Sequence, residues 1–204
     1  MKTKNIFLTL ALALSTTFAF AQSIVGSKHD MSALTWNAEG EICITCHTPH
    51  NSQAASVGAP LWNHAATATA TFGLYASGTL DANVGQPAGT SKLCLSCHDG
   101  TVDLEAYGAT ASGAGTKMTG VAMLGTNLAT HHPVSFTYDT ALYTADGGAT
   151  GGLFDPASKA EVADLLFGGS VECASCHDAH DTSNTKFLAV DNAASALCLT
   201  CHNK

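Results

Sequence analysis

The stretch Cys173-Ala174-Ser175-Cys176-His177, followed twenty-five residues later by Cys198-Leu199-Thr200-Cys201-His202, decides how this chain is read. In Cys-x-x-Cys-His the two thiols form thioethers to the vinyl groups of one haem, and the histidine that follows coordinates its iron. Two attachment points this close bring two porphyrins close in space, because so short a connector cannot both separate and bury groups that large. The pattern occurs twice more, at Cys43-Ile44-Thr45-Cys46-His47 and Cys94-Leu95-Ser96-Cys97-His98, and the four motifs consume all eight cysteines. No thiol is left for a disulfide. Zinc is the competing reading of paired Cys-x-x-Cys knuckles, but zinc sites close four ligands on one tetrahedral ion and need no histidine directly after each pair.

The N-terminus opens Met1-Lys2-Thr3-Lys4, runs apolar from Ile6 to Phe20 and reaches Ala19-Phe20-Ala21 before Gln22. A basic start, a short hydrophobic region and a small-x-small site predict a secretory signal peptide over 1–21. The apolar run is too short and interrupted to predict a membrane span, and nothing later in the sequence is long enough. A mature domain over 22–204 is therefore expected outside the cytoplasm, where c-type haem is attached in bacteria. It must house four haems, roughly one per forty-six residues, in the size of a single domain.

Composition points the same way. Of the chain, 46% is nominally hydrophobic but only 7% aromatic, and there are nineteen glycines. Alanine and glycine pack against flat rings without filling a core. The expected fold is a multihaem cytochrome c, mostly coil with a few short helices and little β, its core formed by the covalently attached haems. Without cofactor the chain is expected to be largely disordered. All eight basic residues are lysines, two of them inside the signal peptide, against sixteen acidic residues. An acidic surface with eight added propionates argues against nucleic acid or an anionic membrane as partner.

Along the chain, 23–40 reads as polar and irregular, with Trp36 packed on a ring. Pro49 ends any helix after the first motif. The segment 99–130, rich in Gly, Ala, Thr and Ser, reads as a long wrapping loop. Val134, Phe136 and Tyr138 alternate as in a short half-buried strand. Asp155-Pro156 reads as a helix start, with Gly168 closing that helix and Val162, Leu165, Leu166 and Phe167 forming its apolar face. Cys43 to His50 resembles Cys173 to His180, each ending His-x-x-His. The Cys94 and Cys198 motifs share Leu-Cys-Leu-(Ser/Thr)-Cys-His. Two di-haem halves in the order A-B-A-B follow, at roughly 22–105 and 106–204.

Four of the ten histidines, His47, His98, His177 and His202, are proximal by motif. Six remain for four distal positions: His29, His50, His64, His131, His132 and His180. Matching the halves makes His50 and His180 equivalent and His29 and His132 the upstream partners. His64, in an apolar run with Leu61 and Trp62, stays a further candidate, and His131 reads as the bystander. Met31, Met118 and Met123 read as porphyrin packing rather than axial ligands. Six-coordinate iron leaves no open position for substrate, so the pattern points to an electron carrier rather than an enzyme.

Gly26-Ser27-Lys28-His29-Asp30, Cys46-His47-Thr48-Pro49-His50-Asn51, Pro60-Leu61-Trp62-Asn63-His64, His132-Pro133-Val134-Ser135-Phe136 and Cys176-His177-Asp178-Ala179-His180, in this order, resemble the OmcE-like tetrahaem extracellular cytochromes. The resemblance implies bis-histidine haems stacked along a head-to-tail homopolymer, a cytochrome nanowire. It also implies one axial histidine donated between subunits, with His29 and His64 as candidates. The function it implies is long-range electron transport at the cell surface to redox partner proteins or a mineral. The alternatives are a monomeric periplasmic tetrahaem shuttle feeding a reductase, and a subunit of an enzyme reducing nitrogen or sulfur oxyanions, whose signature is a five-coordinate haem.

Overall fold

The computed structural model describes residues 24–52, 61–108, 110 and 112–204; the expected signal peptide lies outside them, as does Pro60. The described chain is mostly coil, turn and bend with a few short helices and one two-stranded sheet, the low-regularity architecture expected from the sequence. No described helix is long and apolar enough to cross a membrane.

The longest helix, α1 (Gly89–His98), carries the second motif. Its N-cap, Ala88, offers no side-chain acceptor. The orphan amides of the first turn are met from far along the chain, where Ser91 N donates to Glu172 Oε2 at 3.3 Å, as a helix N-terminus with its partial positive charge favours. Gly89 makes this possible: a Cβ there would stand 3.2 Å from Glu172 Oε1, and its φ of +45 also favours glycine.

The strand expected over 134–138 is a two-residue ladder. β1 (Phe136–Thr137) pairs antiparallel with β2 (Ser170–Val171), Phe136 opposite Val171. Ser135, at φ +59, breaks the extended entry, although the alternation holds in that Phe136 and Tyr138 are buried. Asp139 then caps α2 (Thr140–Ala145), its carboxylate accepting from Leu142 N at 2.9 Å.

The helix expected from Asp155 to Gly168 shrinks to α3 (Ala160–Ala163). Asp155 does organise a turn, accepting from Ala157 N at 3.0 Å. Lys159, however, is extended at φ −127, ψ 100, because its ammonium is committed elsewhere. Nζ donates to the Thr200 carbonyl at 2.9 Å and sits 3.5 Å from the centre of the Phe154 ring. Of the expected apolar face only Val162 is fully buried, and Phe167 is exposed. Gly168 and Gly169, both at positive φ, then turn the chain into β2. The last helix, α4 (Ala196–Cys201), carries the fourth motif.

Residues 99–130 form the expected wrapping loop, with one three-residue helical turn at Gly120–Ala122. It is tied down by the buried Asp103, which accepts from Gly115 N at 3.0 Å and from Gly113 N. Two small apolar clusters hold the described chain. One is Phe136, Tyr138, Leu142, Val162 and Val171; the other is Phe72, Leu95 and Leu128. At about 1.5–3 kcal/mol per buried large side chain, eight residues are a slight counterweight to the entropy of ordering so many. Large apolar residues stand exposed along the attachment motifs instead, among them Val121, Met123, Leu124 and Leu199.

Candidate functional site: four attachment motifs and the imidazoles that face them

Each motif closes one helical turn, which carries the histidine round to the side of the cysteine pair. His47 N, His177 N and His202 N donate to the carbonyls of Cys43, Cys173 and Cys198 at 2.8, 3.0 and 2.9 Å, and in the second motif α1 supplies the turn. No disulfide joins any of the eight cysteines. Among the described residues, no three His, Cys, Asp or Glu side chains converge as the ligands of a bare metal ion do.

The motifs abut. Cys173 N donates to Ser91 Oγ at 2.9 Å, and Glu172 bridges Ser91 N and Ser135 Oγ, the latter at 2.9 Å. The thiols of Cys94 and Cys173 hydrogen-bond to each other, which pushes Cys94 up and draws Cys173 down. Burial raises Cys46, to about 11, and Cys97, to about 12. Burial thus favours the neutral form of both sulfurs.

The first and third motifs are the same local structure, bond for bond. Thr48 N donates to Leu61 O at 2.9 Å where Asp178 N donates to Phe187 O at 2.8 Å. Cys46 O accepts from Asn63 N where Cys176 O accepts from Ala189 N, both at 2.9 Å. His47 bridges Trp62 as His177 bridges Leu188, and Leu61 and Phe187 share a positive φ, +55 and +58. The residue after each proximal histidine then holds the next one: His180 N donates to Asp178 Oδ1 at 2.9 Å, and His50 N to Thr48 Oγ1 at 3.4 Å.

Three proximal histidines face a second imidazole. Ring centres lie 6.1 Å apart for His29 and His98, 6.1 Å for His47 and His180, and 6.3 Å for His132 and His202. Two metal–imidazole bonds of about 2 Å each, with the distance from nitrogen to ring centre added on either side, sum to roughly this spacing. The rings are also oriented for it. Nδ1–H donates to a carbonyl from His98 (Ala122 O, 2.8 Å), His132 (Pro133 O, 2.9 Å) and His177 (Lys186 O, 3.0 Å). His180 Nδ1 lies 3.4 Å from Asp178 Oδ1. A carbonyl can only accept, so the proton in the first three is on Nδ1 and Nε2 is left with its lone pair, the arrangement that orients an axial ligand. Burial, reinforced by the facing imidazole, lowers the pKa of His29 and of His202, favouring the neutral form that can coordinate. These residues fit a haem iron between each pair.

The remaining histidines divide. His64 is fully buried, with Nδ1 2.8 Å from Ala65 O and Nε2 3.1 Å from Asp103 O. Nε2 also lies 3.6 Å from Cys97 Sγ, so this candidate ligand sits against the second motif while tying 61–65 to the wrapping loop. His29 faces His98 inside its own chain. His131 is partly buried. His50 is exposed on its turn. Met31 is buried in packing and Met123 lies against Gly100. The oriented Nδ1 acceptors were not anticipated from sequence. The one readable signal was the pair of turn-formers, Thr48 and Asp178, directly after two of the proximal histidines.

Residues 167–204 match the family described as the doubled CXXCH motif. No curated protein matches the chain. This region is multihaem c-type cytochrome-like, which indicates covalently bound c-type haem and a part in electron transfer.

Proposed function

We propose that the chain is an exported tetrahaem c-type cytochrome that passes electrons through closely spaced bis-histidine irons, working as the subunit of an extracellular filament that reaches external acceptors. The observation that carries this reading is the three imidazole pairs at 6.1–6.3 Å, each joining a proximal histidine to one from a distant part of the chain. Cys43, Cys46, Cys94, Cys97, Cys173, Cys176, Cys198 and Cys201 hold the four porphyrins. His47, His98, His177 and His202 would each supply one ligand to an iron, and His180, His29 and His132 would supply the second to the first, second and fourth.

When bound, such groups supply a one-electron couple. The residues themselves fix where it stands: carbonyls on Nδ1 lock the imidazole planes, and filling both axial sides leaves substrate no position. That supports a conductor over an enzyme. The thiol contact between Cys94 and Cys173, with the Glu172 bridge beside it, supports a short step between the second and third haems, across the two halves. The acidic surface suits a mineral or a basic redox protein as acceptor.

The test is addition of carbon monoxide to the natively exported, assembled and reduced protein, followed by ferric oxyhydroxide. No carbonyl spectrum and full reoxidation by the mineral are expected. Carbon monoxide binding together with turnover of nitrite or hydroxylamine overturns the reading in favour of an enzyme.

A further inference from the structure

The carboxylate of Glu172 is only 5% exposed, and its surroundings explain its position but not its charge. Ser91 N donates to Oε2 at 3.3 Å from the first turn of α1, and Ser135 Oγ donates to the same oxygen at 2.9 Å. Both donors are formally neutral. Among the described residues no lysine or histidine forms an ion pair with it. A buried carboxylate is costly unless an opposite charge stands near it.

The chain places this group between two attachment motifs. Glu172 is joined directly to Cys173, and its partner Ser91 stands three residues before Cys94 in α1. Cys173 N in turn donates to Ser91 Oγ at 2.9 Å. Two other carboxylates are buried, and neither has this position. Asp103 lies in the wrapping loop with Lys117 Nζ 4.0 Å away. Asp99 follows His98 and accepts from Thr67, Thr69 and Thr101, so it adjoins the second motif alone.

A haem iron carries one more positive charge when oxidised than when reduced. A fixed negative charge beside it, where water does not screen the interaction, favours the oxidised form. We infer that Glu172 is a potential-setting residue, whose carboxylate lowers the reduction potentials of the second and third haems together and leaves those of the first and fourth unmoved. The assignment rests on the tetrahaem electron-transfer reading above and adds what sets two of its potentials. The oxidised irons are then the countercharge that no protein side chain supplies.

The exported, haem-loaded wild type is compared with Glu172→Gln, Glu172→Asp and Glu161→Gln. Potentiometric titration is followed haem by haem through the methyl resonances, and hydrogen exchange is read at Ser91 and Cys173. Glu161, exposed on α3, controls for net charge. E172Q removes the charge and keeps an acceptor for Ser91 N. It should raise the second and third potentials alone, so that at a fixed ambient potential their ratio of reduced to oxidised iron rises on the order of tenfold, the scale of one charge acting through protein. Its exchange stays as in wild type. E172D keeps the charge on a shorter side chain, and should quicken exchange at Ser91 while all four potentials hold. E161Q changes neither.

A merely structural Glu172 gives the reverse, with potentials moved by E172D and held in E172Q. That result, or an E172Q shift spread evenly over four haems or matched by E161Q, overturns the assignment and leaves the electron carrier standing. Fewer than four one-electron steps in the wild type overturns the tetrahaem reading, and the assignment with it.

Discussion

A histidine in this chain is defined by what its second nitrogen does. His98, His132 and His177 spend Nδ1 on a carbonyl and keep Nε2 available, whereas the buried His64 has a carbonyl beside each nitrogen. Replacing His64 with leucine should cost about 1–3 kcal/mol of stability, as a buried carbonyl loses its donor, while the low-spin iron content stays unchanged; thermal melts and optical spectra of the haem-loaded protein check both. The facing rings also differ in angle: 86° for His29 and His98 and 74° for His132 and His202, against 23° for His47 and His180. Near-perpendicular axial planes leave the iron d orbitals almost degenerate and near-parallel ones split them. Electron paramagnetic resonance of the oxidised protein should therefore show a rhombic signal from the His47–His180 pair beside strongly anisotropic ones, and His180→Ala should remove that contribution. The proximal histidines and all the cysteines were legible in sequence because the attachment chemistry is local. Which distal histidine meets which motif was not, since His29 and His98, or His47 and His180, are brought together only by the folded path.

Elements here are short, and side chains from far away finish them. Glu172 caps α1 across 81 residues, and Glu172→Ala should loosen the second and third motifs together by about 3 kcal/mol, as a charged hydrogen-bond acceptor is lost from two donors. Hydrogen exchange at Ser91 and Cys173 reads this out. The wrapping loop depends on Asp103, whose carboxyl is held below its ordinary value of 3.8 chiefly by the amides of Gly113 and Gly115. A depressed folded pKa means the unfolded state takes the proton first. The stabilisation is present above pH 3.8 and lost as pH falls through the folded value. Limited proteolysis by an acid protease should open 103–117 in that range, and Asp103→Asn should open it already at neutral pH. Helix 155–168 was misjudged from sequence for a reason of the same kind. The Asp-Pro start was real as a turn, but Lys159 is pulled out of helical geometry by the Thr200 carbonyl and the Phe154 ring, partners no local pattern announces. The strand at 136–137 was legible from its alternation, and its length was set by Ser135.

Across the whole molecule the protein core is two small clusters, and the larger apolar side chains near the motifs, Val121 and Leu199 among them, are left exposed. Covalently held porphyrins would cover them and supply the missing interior, so chain retained in the cytoplasm without haem should show the narrow amide dispersion of an unordered polypeptide. The low content of regular structure was legible from composition alone, because glycine and alanine with few aromatics cannot build a large core. Residues 167–204 match a known doubled motif, and the tetrahaem reading extends the same attachment chemistry to the first and second motifs. The intact mass of the haem-loaded protein, taken after treatment with a thiol-alkylating reagent, measures this directly. Four haem masses and no alkylated cysteine are predicted. Two haem masses with four alkylated cysteines, at Cys43, Cys46, Cys94 and Cys97, would contradict it.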